Sequence, residues 1–170
     1  MAALIGNQAD CESIIVLKDL FKSLGSNNFL CSQNNSKYKG LPRVAYTFNT
    51  SISGIEDSDF CLLVGVNPRI DASMINARIR KRFLQGNYPI YLIGPKMDLN
   101  YDYKFLGNNP TILEKIFKDQ HYISKKLKKS KKPIIIVGDN VLNRDDGQSI
   151  LHLIYKICLK FPFIQQTNNN

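Results

Sequence analysis

The sequence predicts an α/β fold: a doubly wound, mostly parallel sheet flanked by helices, as in a Rossmann-like three-layer sandwich. Two observations predict it. Short apolar runs end at a glycine four times along the chain, and segments with helical periodicity lie between them. The runs are continuous rather than alternating, which is typical of strands covered on both faces, and parallel sheets are built from such strands. Strand, glycine and helix in repeated order indicate a right-handed α/β sheet.

The four predicted strands are residues 2–5 before Gly6, 60–64 before Gly65, 89–93 before Gly94, and 134–137 before Gly138. Gly65, directly after its strand, suits a sharp turn that needs a positive φ. The order of the strands in the sheet does not follow from the sequence.

The first predicted helix begins after Asp10, a residue type that caps helix N-termini, and ends at Gly25. Its apolar stripe consists of Ile14, Leu17, Phe21 and Leu24. We expect this stripe to cover one face of the sheet.

A second helix is predicted between Pro68 and Gly86. Its apolar positions, four residues apart, are Ile75, Ile79 and Phe83. Its basic positions, predicted on the opposite side, are Arg78, Lys81 and Arg82. The basic outer face makes these three residues candidates for contact with another subunit.

Two further elements carry a capping-box pattern. Thr111 and Glu114 predict the start of a third helix, and Ser53 with Glu56 predicts a short turn before the strand at residues 60–64. A last helix, stopped by Pro162, has an apolar stripe made of Ile150, Leu151, Ile154, Cys158 and Phe161.

The length of 170 residues and the 44% hydrophobic content fit one globular domain. We predict a single α/β domain over residues 1–164, followed by a polar tail over residues 165–170, and we expect it to be a module of something larger. No window approaches the roughly 20 apolar residues that a membrane-spanning helix needs. Residues 1–6 show neither a secretory signal nor a transit peptide.

The formal charge of +9 is concentrated in residues 125–132, which contain six lysines. Such a run is typical of a solvated helix end that leads into a loop. Binding to nucleic acid is the alternative, although no aromatic side chain alternates with the lysines to stack on bases. The chain is also rich in Asn, Ile and Lys, which together make up 54 residues, so an AT-rich genome such as an organelle's own would account for its composition.

The residue types that carry most chemistry are scattered. The cysteines, at positions 11, 31, 61 and 158, lie 20 or more residues apart, which argues against a zinc or iron–sulfur site. Cys61 lies in a predicted buried strand and Cys158 on an apolar helix face, positions typical of reduced cysteines, so no disulfide is expected. His121 and His152 lack a catalytic spacing to Ser, Cys or carboxylate. We therefore predict no catalytic residue and no metal ligand.

One loop has the position of a binding site. Gly65, Asn67, Pro68 and Arg69 follow a predicted strand, and this fold class binds ligands at the carboxyl ends of its strands. Neither the triple-glycine dinucleotide motif nor the lysine-bearing P-loop is present. The alternative is a structural loop in which Arg69 pairs with a carboxylate or contacts another subunit.

Four segments together resemble one known family. The first is residues 51–59, with Ile52, Gly54, Ile55 and Glu56, and the second runs from Leu62 through Gly65, Asn67, Pro68 and Arg69 to Asn76, Ala77, Arg78, Ile79, Arg80 and Lys81. The third holds Ile93, Gly94, Asp98, Leu99, Tyr101, Tyr103, Leu106, Gly107, Pro110 and Leu113. The fourth holds Lys132, Pro133, Val137, Gly138, Arg144, Asp146 and Gly147. The chain resembles the C-terminal, molybdopterin-oxidoreductase-like part of the large iron–sulfur (75 kDa) subunit of respiratory complex I.

The resemblance implies a split or truncated piece of that subunit, acting as a structural, non-redox module of the peripheral arm on the matrix side of the mitochondrial inner membrane. It implies no cofactor in this chain, so that Gly65, Asn67, Pro68 and Arg69 would be a vestigial binding loop. Iron–sulfur clusters and FMN are expected on partner subunits, including a separate chain with the ferredoxin-like region. Related molybdenum enzymes hold a molybdopterin guanine dinucleotide in the corresponding fold. A cofactor-binding domain of a molybdopterin or thiamine-diphosphate enzyme is therefore the alternative.

Overall fold

The structure, a computed structural model, describes residues 1–6, 8–30 and 40–161. The chain forms two compact units, Met1–Asn35 and Ser36–Asn170, and each is described by itself. The predicted polar tail lies outside the described residues. A single domain over residues 1–164 stays a prediction.

The first unit is a small β–α–β arrangement. Strands β1 (Ala3–Leu4) and β2 (Phe29–Leu30) are parallel, and helix α1 (Cys11–Ser23) connects them. As predicted, α1 begins after Asp10, although the Asp10 side chain makes no capping hydrogen bond. The chain leaves the helix through Gly25, whose φ is +71°. No residue of α1 is fully buried, so its apolar stripe is covered less than we expected.

The second unit contains four strands and six helices among its described residues. The strands are β3 (Phe60–Val64), β4 (Ile90–Ile93), β5 (Lys104–Gly107) and β6 (Pro133–Val137). The helices are α2 (Pro68–Asp71), α3 (Ser73–Leu84), α4 (Thr111–Phe117), α5 (Tyr122–Lys129), α6 (Asp139–Leu142) and α7 (Gly147–Lys160). Short 3₁₀ turns lie at Arg43–Ala45 and Ser53–Asp57.

The four strands form one parallel sheet in the order β5-β4-β3-β6. Every residue of β3 and β4 is buried, as expected for inner strands with helices on both faces. The predicted parallel α/β class is confirmed. Strand β5 was not predicted, because it carries no continuous apolar run.

Two apolar cores lie on the two faces of this sheet. One is formed with α4, α5 and α7 and contains Phe60, Leu62 and Tyr91 from the strands. The other is formed with α3 and the turn at Ser53–Asp57, and contains Cys61 and Leu63. Alternate residues of a strand point to opposite faces, so β3 contributes to both cores.

Two predicted helix starts differ from the structure. The helix after Pro68 is interrupted at Ala72, whose φ of −153° is extended, and so α2 and α3 are separate. Helix α4 begins at Thr111, but its capping acceptor is Asn109, whose side chain accepts the Thr111 N–H at 2.9 Å. The predicted capping box is therefore wrong at this position, because Thr111 already lies inside the helix.

The lysine-rich run forms the end of α5 and the entry to β6, as predicted. Several of its lysines contact the same chain: Lys126 Nζ donates to the Tyr91 hydroxyl at 2.9 Å, and Lys128 Nζ lies 3.1 Å from Asp119. The Asp59 carboxylate accepts the N–H groups of Lys131 and Lys132. These contacts fix the run beside the start of β3.

Helix α7 carries most of the predicted apolar stripe: Ile150, Leu151 and Ile154 are buried, and Cys158 is half-buried. Phe161, the residue after the helix, is also buried. Its predicted stop at Pro162 lies outside the described residues. In the part of the chain that the structure describes, no helix is both long enough and apolar enough to cross a bilayer.

Candidate functional site

The predicted binding loop lies where the winding of the sheet reverses. From β3 the chain continues to β4 and β5 on one side, and it later returns to β6 on the other side of β3. In open α/β sheets the usual ligand crevice lies at such a point, outside the carboxyl ends of the strands. A cavity of about 570 Å³ opens there. Its lining includes Gly65, Asn67, Gly94, Lys96, Asn140 and Arg144.

Three glycines that follow strands, Gly65, Gly94 and Gly138, lie close together at this edge of the sheet, and the first two line the crevice. A Cβ atom added to Gly138 would lie 2.1 Å from the Gly65 carbonyl oxygen, and one added to Gly94 would lie 3.2 Å from the Gly65 Cα. Gly65 itself has the expected positive φ, +55°. The glycines therefore allow three strand ends to approach one another, a role that needs no ligand.

A side chain of the same chain fills the space above Gly65. A Cβ atom on Gly65 would lie 2.1 Å from Cγ2 of Val141, a buried residue of α6. Val141 was not singled out from the sequence. Val141 lies three residues after Gly138, and this spacing could have predicted its position. The turn after a neighbouring parallel strand reaches the same edge of the sheet as Gly65.

The polar loop after β3 caps the short helix α2. The Asn67 side-chain oxygen accepts the Arg69 N–H at 3.2 Å, and the Asn67 N–H donates to Asp71 Oδ2 at 2.9 Å. Pro68 is buried at the first position of α2, where a helix tolerates the missing N–H. The N–H groups of Asn67 and Arg69 are thus bound to acceptors of the loop itself.

Arg69 connects the loops that follow β3 and β4. Its Nη1 atom lies 2.6 Å from Asp98 Oδ2 and 3.3 Å from the Asp98 carbonyl oxygen. The side chains are 45% and 85% exposed, so the ion pair contributes little to stability, about 0–1 kcal/mol. This geometry matches the structural alternative, in which Arg69 pairs with a carboxylate.

The loop is a poor fit for the phosphates of a molybdopterin guanine dinucleotide. A phosphate site needs free N–H donors and positive charge. Here the N–H groups of Asn67 and Arg69 have internal acceptors, and the Arg69 guanidinium pairs with Asp98. The Asp71 carboxylate lies at the same loop and would repel a phosphate.

The three basic residues proposed for subunit contact bind within their own chain. Arg78 and Lys81 both pair with Glu56 in the 3₁₀ turn, the second at 2.7 Å. Hydrogen bonds from Lys81 and then from Arg78 lower the pKa of Glu56 below its ordinary value. The face that was predicted to point outward therefore packs on this turn.

Arg82 is held in a similar way. Its Nε atom donates to the Ser58 carbonyl at 2.8 Å, and its guanidinium lies 4.9 Å from the centroid of the Tyr88 ring. A role for these residues in subunit contact stays a prediction; 58% of the Lys81 side chain is exposed.

Two of the thiols, those of Cys61 and Cys158, are poorly suited to nucleophilic chemistry. Burial raises the pKa of Cys61 to about 12 and that of Cys158 to about 12, so both are protonated at neutral pH. Cys31 lies outside the described residues. Within the described ranges, no three His, Cys, Asp or Glu side chains cluster as metal ligands.

His121 has a structural position at the N-terminus of α5. Its Nδ1 atom accepts the Ile123 N–H at 3.4 Å. Burial, and then the positive charge of Lys115, lowers the pKa of His121. The imidazole is therefore neutral at pH 7, as its role of hydrogen-bond acceptor requires.

Comparison with solved structures supports the fold. The chain superposes with a TM-score of 0.66 on the formyltransferase/hydrolase complex of Methylorubrum extorquens solved with methylofuran. The match covers 96% of this chain and 52% of that one, at 16% sequence identity. At that identity the likeness establishes the architecture alone.

Curated relatives are more similar in sequence. The chain is 39% identical to the NADH-ubiquinone oxidoreductase 75 kDa subunit of Reclinomonas americana, over 100% of this chain and 26% of that protein. It is 42% identical to the mitochondrial NADH dehydrogenase [ubiquinone] iron-sulfur protein 1 of Solanum tuberosum, over 93% of this chain and 21% of that protein. It is 40% identical to an NADH-quinone oxidoreductase subunit of Rickettsia bellii, over 97% of this chain and 24% of that protein.

The chain thus spans about a quarter of the length of these relatives. The family model for molybdopterin oxidoreductases matches residues 1–170, the whole sequence. That match agrees with the parallel α/β sheet and with the resemblance carried by the loop after β3. The chain belongs to the molybdopterin oxidoreductase family.

Proposed function

We propose that this chain is a structural, non-redox module of the peripheral arm of NADH:ubiquinone oxidoreductase, respiratory complex I. Its relatives bear the names of subunits of that enzyme, and each aligns with at least 93% of this chain. In this role the chain belongs to an enzyme but is not itself catalytic. It shapes the arm, while groups on other chains carry electrons from NADH to ubiquinone.

The observation that carries the non-redox part of this proposal is the self-bound loop at the crevice. Val141 fills the space above Gly65, and the donors of Asn67 and Arg69 are bound to Asp71, Asn67 and Asp98. Because the N–H groups of Asn67 and Arg69 are bound within the loop, the loop can hold the edge of the sheet in place without a ligand. It has the sequence of a binding loop and the contacts of a structural one.

The proposal also assigns partners and a location. FMN and the iron–sulfur clusters lie on partner subunits, one of which carries the ferredoxin-like region as a separate chain. The location is the matrix side of the mitochondrial inner membrane. The mitochondrial part of this location is supported by the relative from Solanum tuberosum, whose name includes that organelle.

Purification of the native assembly tests this proposal. The chain is tagged in its source organism and recovered by mild detergent extraction and affinity capture. We expect it to migrate with NADH-oxidising activity and with a second polypeptide that bears the ferredoxin-like clusters. Recovery of the chain only as a free protein would contradict the proposal.

One alternative keeps support from the family match, which covers the whole chain. A molybdopterin oxidoreductase domain would hold the pterin cofactor itself. Metal and pterin analysis of the chain, separated from its partners, distinguishes the two functions: stoichiometric molybdopterin favours the alternative, and its lack favours the structural module.

A further inference from the structure

Strand β6 has an open edge. It pairs with β3 on one side, and no strand in the described part of the chain pairs with its other side. Its five residues, PIIIV, carry no charge and are only half-buried, whereas every residue of β3 and β4 is buried. Proteins normally protect a long apolar edge with charges, bulges or a covering element. β6 has an apolar sequence suited to the interior of a sheet.

Hydrogen bonds at the two ends of β6 show which of its residues face β3. The Lys132 carbonyl accepts the Asp59 N–H at 3.1 Å, and the Gly138 N–H donates to the Val64 carbonyl at 2.9 Å. Successive residues of a strand present their backbone groups to opposite sides. Even-numbered residues of this segment therefore bond to β3, and odd-numbered residues face away.

The outer edge consequently offers two donors, the N–H groups of Ile135 and Val137. It also offers three carbonyl acceptors, those of Pro133, Ile135 and Val137. Neither N–H group has a hydrogen-bond partner among the residues that the structure describes. Pro133 lies at the first position of the strand, where an edge strand tolerates the missing donor.

This edge forms the floor of an apolar groove of about 400 Å³. One wall is a side of α7, with the buried residues Leu151 and Ile154 and the half-buried residues Tyr155 and Cys158. The other wall is the segment of residues 44–50, whose side chains Val44, Tyr46 and Phe48 are 40%, 44% and 51% exposed. A groove with strand hydrogen-bonding groups on its floor and apolar walls is suited to an added β-strand.

We propose that this groove binds one extended β-strand, with apolar side chains on both of its faces, from the longer companion polypeptide that supplies the rest of the family sequence. The relatives extend far beyond the matched region, since this chain spans about a quarter of their length. A second copy of this chain is a poorer occupant, because each copy carries a charge of +9. The inference rests on the proposed function in one respect, the separate partner chain, but not on the redox role of the assembly.

Amide hydrogen exchange tests the proposal directly. Exchange is measured at single-residue resolution on the isolated chain and on the affinity-purified native assembly. The Ile135 and Val137 amides should exchange rapidly in the isolated chain and slowly in the assembly. The Ile134 and Ile136 amides, which bond to β3, should be protected in both samples and so serve as internal controls.

Three results would overturn the proposal. Protection of Ile135 and Val137 in the dilute isolated chain would mean that the chain covers its own edge. Protection that grows with protein concentration would assign the groove to a second copy. Rapid exchange in the intact assembly would leave the edge uncovered.

Two variants test whether the companion polypeptide binds in the groove. Ile135→Pro removes one outward donor without removing a hydrogen bond to β3, and we expect companion binding roughly tenfold weaker, the effect of one lost hydrogen bond. Phe48→Lys places a charge in the groove wall and should also weaken binding. Ile70→Lys, at an apolar residue that is 78% exposed and outside the groove, is the matched control and should bind as the wild type does.

A photo-crosslinking amino acid at position 48 then captures the occupant within the native assembly. The proposal requires the captured peptide to be an uncharged apolar segment of one longer polypeptide. Crosslinking of such a segment from a polypeptide outside complex I would show that the groove binds a strand, but it would contradict the proposed function. If both groove variants bind the companion polypeptide as tightly as the wild type does, the groove is not its binding site, whatever the function of the assembly.

Discussion

At the scale of residues, the close approach of Gly138 to Gly65 leaves no room for a side chain between two strand ends. Gly138 has an ordinary φ of −80°, so an alanine there meets no backbone restriction, but its Cβ atom would lie 2.1 Å from a carbonyl oxygen. We expect Gly138→Ala to lower the free energy of unfolding by roughly 2–3 kcal/mol, as overpacking does in a rigid environment. Urea denaturation monitored by circular dichroism gives this quantity.

Gly54→Ala is the matched control. Its added Cβ atom would lie 2.4 Å from Thr50 Oγ1, which belongs to an exposed side chain that can rotate away. The expected loss is less than about 0.5 kcal/mol, the usual range of surface substitutions. Equal stability of the two variants would contradict the close approach of the strand ends.

Several residues of the crevice could be predicted from the sequence, and others could not. Gly65 follows an apolar run, so its sharp turn was visible locally. Asp98 and Val141, in contrast, lie 29 or more residues from the groups that they contact at Arg69 and Gly65. Only the order of the strands brings such distant loops together, and that order was not readable from the chain.

At the scale of elements, Glu56 joins the 3₁₀ turn at Ser53–Asp57 to helix α3. Lys81 and Arg78 lower the pKa of Glu56 in the folded state. The carboxylate therefore stabilises the folded state at pH values above 4.5, the pKa of the unfolded chain. This stabilisation is lost as the pH falls through the lower pKa of the folded state. We expect Glu56→Gln to lower the melting temperature at pH 7 and to make little difference at strongly acidic pH.

Thermal melts of the wild type and of Glu56→Gln at a series of pH values check this expectation. The difference between their melting temperatures should shrink below pH 4.5. A difference that stays constant across the whole series would show that the substitution acts through packing rather than through the ion pairs.

The helices and strands were predicted unequally well. The strands that end at glycine could be found because each is a continuous apolar run. Strand β5 was missed, since Lys104 and Phe105 are exposed and the strand is stabilised by its pairing with β4. The basic residues of α3 were placed on an outer face, because periodicity defines the side away from the sheet but cannot show that the turn containing Glu56 packs there.

At the scale of the whole molecule, the fold class and the family could both be predicted from the sequence. The parallel sheet confirms the fold class, and the family model confirms the family. It was not sufficient for the open edge at β6. An apolar run such as PIIIV predicts a buried strand, and only the strand order shows that one side of it lacks a neighbour. The groove is thus a property of the assembled sheet.

In the proposed function, the chain supports complex I without taking part in its chemistry. The direct test is complementation of cells that lack the chain with an Asn67→Ala, Arg69→Ala double variant, followed by measurement of NADH:ubiquinone activity per assembled complex. We predict that activity per complex stays at the wild-type value, whatever the amount of complex that assembles. Complexes that assemble in normal amounts but lose activity would contradict the claim.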